Sequence, residues 1–110
     1  MNFMKVLIVE EHELESHIII NFLKDTGLQP IVTSSAINAW QISKAEIPDV
    51  IILDSVLPDF DVIELCKRFR SDRLLKDIPI LLINSIENKD FVLQGLQSGA
   101  NDYITKPFTK

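Results

Sequence analysis

Six polar residues each stand directly after a short apolar run. Glu10 and Glu11 follow Met4–Val9, Asp54 follows Val50–Leu53, Asn84 and Ser85 follow a run ending at Ile83, and Lys106 follows Tyr103-Ile104-Thr105. If those runs are neighbouring strands, their polar ends meet on one rim. Three carboxylates gathered there repel and raise one another's pKa values unless a cation sits among them. A hard divalent ion with oxygen ligands answers that repulsion, and Mg²⁺ suits the set because it needs only a few carboxylates and keeps its waters. Lys106 then offers a point charge to a phosphoryl oxygen. Asp54 is the natural nucleophile, because aspartyl phosphate is an established covalent route for a carboxylate. Taken alone, Glu10-Glu11 reads as a solvated strand end. Its pairing with Asp54 at the end of an adjacent strand is what points to a metal site.

The elements that must position these residues follow from the pattern of apolar side chains. Met4–Val9 is an apolar run of strand length. From His12 to Thr26 the period turns helical, with Leu14, Ile18 and Phe22 four residues apart, Ile19 and Leu23 beside them, and Gly27 placed as a C-terminal cap. Pro30–Thr33 reads as a second strand. Ser34 or Ser35 then caps a helix to about Ala45 that is expected to bury Ile37, Trp40 and Ile42. Val50–Leu53 is apolar on both faces, as the middle of a covered parallel sheet requires. Asp61 is a suitable N-cap for a helix with Val62, Leu65, Cys66 and Phe69 on one side. Ile78–Ile83 is a fourth strand, Asn88 opens a fourth helix that Gly99 ends, and Asp102–Thr105 is a short fifth strand. Four strand–helix units and a lone fifth strand imply right-handed crossovers, hence an α/β domain with a parallel sheet and helices on both faces. The chain stops where a fifth helix would be expected, so we expect residues 1–110 to be one domain cut short at its C-terminus.

Composition narrows the function. A chain of 110 residues suits one domain with its own core, and 46% hydrophobic against 25% charged residues is a globular balance. The single cysteine, Cys66, cannot close an intrachain disulfide and has no Cys/His cluster around it, which argues for a reducing, cytoplasmic setting. A net charge of −5 argues against binding a nucleic-acid backbone. No apolar run approaches the roughly 20 residues of a membrane span. His12 and His17 read as helix-surface residues, Trp40 and Cys66 as packing, and Lys67, Arg68, Arg70 and Arg73 as a solvated helix end near a negative helix terminus.

The sequence resembles the receiver domains of bacterial two-component response regulators, the family of the chemotaxis response regulator. Val9-Glu10-Glu11, Asp54-Ser55-Val56-Leu57-Pro58 with Asp61, the Ile78-Pro79-Ile80 strand start, Gly99-Ala100 and Lys106-Pro107-Phe108 carry the resemblance. They run in family order and spacing from Met4 to Phe108. The resemblance implies a doubly wound, flavodoxin-like sheet of order 2-1-3-4-5. It implies that a histidine kinase or phosphotransfer protein passes a phosphoryl group to Asp54 in a Mg²⁺-dependent reaction, with no turnover of an external substrate. By position, Glu11, Asp54 and the Val56 backbone carbonyl would ligate Mg²⁺, Glu10 would act through a bound water, Lys106 would pair with the phosphoryl group, and Asn84 and Tyr103 would hold the two switch positions. An output domain or partner protein outside this chain would read the signal, and the uncovered face of the fifth strand, with Tyr103 and Phe108 nearby, would favour a homodimer.

Three positions depart from the family pattern. The acidic pair is Glu-Glu rather than Asp-Asp or Glu-Asp, Asn84 stands where Thr or Ser is usual, and Val62 replaces the glycine that usually follows Asp61. Together they frame the alternative reading, a receiver-like interaction module that works without phosphate. A hydrolase using Asp54 as nucleophile would want a second Asp two positions on as general acid, and that position is Val56.

Overall fold

The computed structural model describes residues 4–84 and 89–105. Five strands, β1 (Lys5–Val9), β2 (Gln29–Thr33), β3 (Val50–Asp54), β4 (Ile80–Asn84) and β5 (Asp102–Thr105), form one sheet of order β2-β1-β3-β4-β5. All four pairings are parallel. Between successive strands run α1 (Glu13–Leu23), α2 (Ala36–Glu46), α3 (Val62–Ser71) and α4 (Lys89–Gln97). The expected alternation and strand order are both present, with four helices among the described residues. None of these helices is long and apolar enough to cross a membrane.

Alternating residues of each strand build two cores. Leu7, Val9, Ile51, Leu53, Ile80 and Leu82 face α2 and α3, where Ala36, Ala39, Leu65, Cys66 and Phe69 meet them. Val6, Ile8 and Ile83 face the other way, against Ile19 with Ile20 and Leu23 of α1. β1 and β3 contribute to both, which is why they read as unbroken apolar runs. The α3 face is the expected one: Val62, Leu65, Cys66 and Phe69 are buried, and the Asp61 carboxylate accepts from Ile63 N at 2.8 Å and Glu64 N at 3.2 Å. Ser35 is the cap of α2, its Oγ accepting from Asn38 N at 3.1 Å.

Two helices turn differently from the expected faces. In α1 Leu14 is 72% exposed and Phe22 41%, while Ser16 and Ile19 are the buried residues. A strict four-residue repeat drifts around a helix of 3.6 residues per turn, so Leu14, Ile18 and Phe22 wind off the contact line and positions 16, 19, 20 and 23 lie along it. The helix also ends at Leu23, three residues short of Thr26, and Gly27 (φ +80°) serves the turn into β2. In α2 the buried positions are Ala36, Ala39 and Ser43, whose small side chains let the helix lie close to the sheet; Ile37 remains 56% exposed. β4 begins at Ile80 rather than Ile78, because Pro79 has no N–H to give the ladder, though its carbonyl still accepts from Ile51 N at 2.9 Å.

Candidate functional site

Parallel strands end together, so register decides which residues share the rim. Val9 pairs with Thr33 on one side and Leu53 on the other, and Asp54 pairs with Ile83. Glu10 and Asp54, each one residue further, therefore occupy neighbouring strand ends in the middle of the sheet. Both are buried, at 2% and 4% exposure. Glu10 N extends the ladder by donating to Thr33 O at 3.0 Å, and Ser55 N does the same to Ile83 O at 2.8 Å. The backbone around both carboxylates is thus held at sheet precision rather than loop precision.

Glu11 does not join them. Successive residues leaving a strand point to opposite sides, so once Glu10 turns inward Glu11 turns out, and it is exposed. Among the described residues no three His, Cys, Asp or Glu side chains are gathered as a metal cage. The expected convergence of three carboxylates is therefore two buried carboxylates with a third at the margin. Two adjacent buried carboxylates with an oxygen-only donor set still fit a hard divalent ion of the kind that keeps several waters. On the β2 side of the rim an open groove of about 590 Å³ is lined by Glu10, Glu11, Glu13, His17 and Thr33, an acidic approach to the same edge.

The loop after Asp54 is fastened at several points. Leu57 is buried in the α3 core. The Asp59 carboxylate reaches across to the start of α2, accepting from Ala36 N at 2.8 Å and Ile37 N at 3.0 Å. Those two bonds hold its carboxyl below the usual carboxylate range. Asp61 caps α3 at the far end. Val56 lies between the buried Ser55 and Leu57, with its side chain 63% exposed. Val62 is the first residue of α3 and is buried, and the only described non-glycine residues with positive φ are Asp25 and Ile47, so this loop asks for no glycine at position 62. Asp59 is the site-supporting residue that sequence reasoning missed, since its partners are more than 20 residues away.

Asn84 closes β4 opposite Thr105, and Tyr103, opposite Leu82 on the edge strand, is 43% exposed. Tyr103 shares a sheet face with Leu53 and Leu82, the opposite face from Asp54. Ser85, Lys106 and Phe108 lie outside the described residues. His12 and His17 are exposed, as expected for helix-surface residues.

One basic residue is misread by its neighbours in sequence. Arg70, at the end of α3, is not a solvated charge: it donates to Gly99 O at 2.8 Å, Lys76 O at 3.0 Å, Ile78 O at 2.7 Å and Asn101 Oδ1 at 2.7 Å. It ties α3 to the starts of β4 and β5, at the end of the sheet away from the carboxylates. Gly99 has φ +124°, and a Cβ there would strike the Arg70 side chain.

The sequence, folded as a sheet of order 2-1-3-4-5, matches the family model of the response regulator receiver domain over residues 6–110. The chain belongs to that family. Among its relatives is the chemotaxis protein CheY1 of Helicobacter pylori, 34% identical, with 96% of this chain and 87% of CheY1 covered. A crystal structure described as a response regulator of Chloroflexus aurantiacus J-10-fl superposes with a TM-score of 0.93 at 31% identity, over 98% of this chain and 88% of that one. The phosphorylated cyanobacterial phytochrome response regulator RcpA is similar at a TM-score of 0.88 and 25% identity, over 96% and 82% of the two chains. Transcriptional regulators in the family are longer: this receiver domain is 35% identical to PhoP of Bacillus subtilis, covering 96% of this chain and 43% of PhoP. It spans under half the length of the first such relatives it matches.

Proposed function

We propose that this receiver domain is a phosphoacceptor switch in which Asp54 takes a phosphoryl group from a histidine kinase or phosphotransfer protein. The observation that carries the reading is the buried Asp54 carboxylate on the central strand beside buried Glu10. An Asp54 carboxylate oxygen attacks phosphorus, a P–O bond forms, the P–N bond of the phosphohistidine breaks, and its electron pair returns to the imidazole nitrogen. Two neighbouring carboxylates oppose the arrival of a phosphoryl dianion, so the reaction calls for added positive charge. Asp54 and the Val56 carbonyl, with Glu10 through a water and Glu11 brought in from the margin, would hold Mg²⁺, whose chemistry is to neutralise phosphoryl oxygens. Lys106 would pair with a phosphoryl oxygen, and Asn84 and Tyr103 would pass the change to a partner or output domain. The only chemistry expected is formation and loss of the Asp54 acyl phosphate, without turnover of an external substrate.

Incubation with acetyl phosphate, with and without Mg²⁺, read by intact mass, tests this. One phosphoryl group gained only with Mg²⁺, and lost in Asp54→Asn, is the expected result. A folded protein that stays unmodified overturns it and favours the phosphate-independent interaction module, which Asn84 and the Glu10-Glu11 pair would suit.

A further inference from the structure

The α2–α3 side of the sheet carries a groove that the phosphoacceptor chemistry does not use. Ile37 and Trp40 of α2 form one wall, Leu65 and Arg68 of α3 the other, and Phe60 of the β3–α3 loop closes one end around about 160 Å³. Ile37 lines it while 56% exposed. The Trp40 ring that lines it is backed by the core, its centroid 5.7 Å from that of buried Phe69. The Arg68 guanidinium lies 5.0 Å over the Phe60 ring, at the mouth.

Volume and charge decide what kind of occupant fits. Pockets for small-molecule ligands run to roughly 300–1,000 Å³. A cavity of about 160 Å³ instead has the size of one large side chain, the anchor of a protein contact. Of the neighbouring cations, Lys44 pairs with Asp72 and Lys67 with Glu64, whereas Arg68 has no ion pair among the described residues. Covering a guanidinium without supplying an anion is costly, and a carboxylate answers it with two aligned hydrogen bonds.

We propose that the α2–α3 groove docks a short acidic, amphipathic segment of a partner protein. One phenylalanine- or leucine-sized side chain enters between Ile37, Trp40 and Phe60, and a neighbouring carboxylate pairs with Arg68. Phe60 and Asp59 belong to the loop that leaves Asp54, and Asp59 is bonded to α2, so the closed end of the groove is continuous with the rim. The docking itself needs no phosphate.

The test is a nitrogen-15 NMR titration of the full chain with a five-residue peptide holding one phenylalanine among glutamates. Two control peptides carry lysines for the glutamates or alanine for the phenylalanine. Saturable shifts at the Trp40 indole and residues 36–41 and 60–68 are expected, with both controls about tenfold weaker or worse. Arg68→Glu should lose about tenfold for the glutamate peptide and gain for the lysine peptide. Ile37→Asp, on the exposed first turn of α2, should lose as much, and thermal melts confirm that both variants fold. Shifts elsewhere, equal binding of the three peptides, or no shifts at millimolar peptide overturn the proposal. N-acetylphenylalanine binding as tightly as the peptide overturns it in favour of a small-molecule site.

Discussion

Replacing Arg70 with alanine removes the four hydrogen bonds that join α3 to the Gly99, Lys76 and Ile78 carbonyls and to Asn101. A hydrogen bond from a charged donor is worth about 1.5–3 kcal/mol net. Four made by one guanidinium do not add, because part of the freed surface regains water, so the expected loss is about 2–4 kcal/mol. Asn101 Oδ1 also accepts from Ile80 N at 2.8 Å, so the damage spreads to the first residue of β4. For a domain of this size roughly 4 °C of melting temperature goes with each kcal/mol, giving a fall of about 8–16 °C. Lysine should recover less than half of this, since one compact ammonium cannot serve carbonyls on two separate segments. Urea unfolding of Arg70→Ala, Gly99→Ala and the double variant completes the assay. In the parent, Gly99→Ala suffers both the positive φ and the clash with Arg70; without Arg70 only the φ cost remains. Gly99→Ala should therefore cost less beside Arg70→Ala than alone. A loss under about 0.5 kcal/mol for Arg70→Ala, or the same Gly99→Ala cost in both backgrounds, would refute the reasoning.

Other consequences can be checked separately. Asp59→Asn should cost about 1 kcal/mol at neutral pH through the weakened cap of α2. Because the Asp59 carboxyl is lowered in the folded state, that contribution is full above its ordinary value of 3.8 and disappears as pH falls through the lower folded value. Parent and variant melting curves should therefore converge in strong acid. Ser43 is fully buried in α2, and its Oγ has no hydrogen-bond partner among the described residues. Ser43→Ala should raise stability by about 1 kcal/mol in urea unfolding, by removing an unsatisfied hydroxyl and improving helix propensity. The Cys66 thiol is pushed up to about 11 by burial. It should resist iodoacetamide at pH 8 in the native protein and react promptly in denaturant, followed by mass.

The division between what was legible and what was not follows the range of the interactions. Apolar runs bounded by polar residues are local, so β1, β3 and β5 and the α3 face Val62–Leu65–Cys66–Phe69 could be read directly. So could the cap Asp61, and the α2 cap to within the choice of Ser34 or Ser35, because each serves a backbone N–H only two or three residues on. The pairing of Glu10-Glu11 with Asp54 followed from strand ends in an α/β sheet. Which glutamate turns inward did not, since it depends on the strand's pleat against the covering helix; Glu10 is buried and Glu11 exposed. The faces of α1 and α2 were set by where the sheet lies. α1 offers apolar residues around much of its circumference, and contact with β1 and β3 selects Ile19, Ile20 and Leu23 over Leu14 and Phe22. Asp59 and Arg70 look like surface charges in a string of others. Chain folding brings backbone N–H groups 22 and 23 residues away to the first, and carbonyls from two segments to the second. Polar groups with nearby partners can be assigned from sequence; those that satisfy distant backbone atoms acquire their role only when the chain closes on itself.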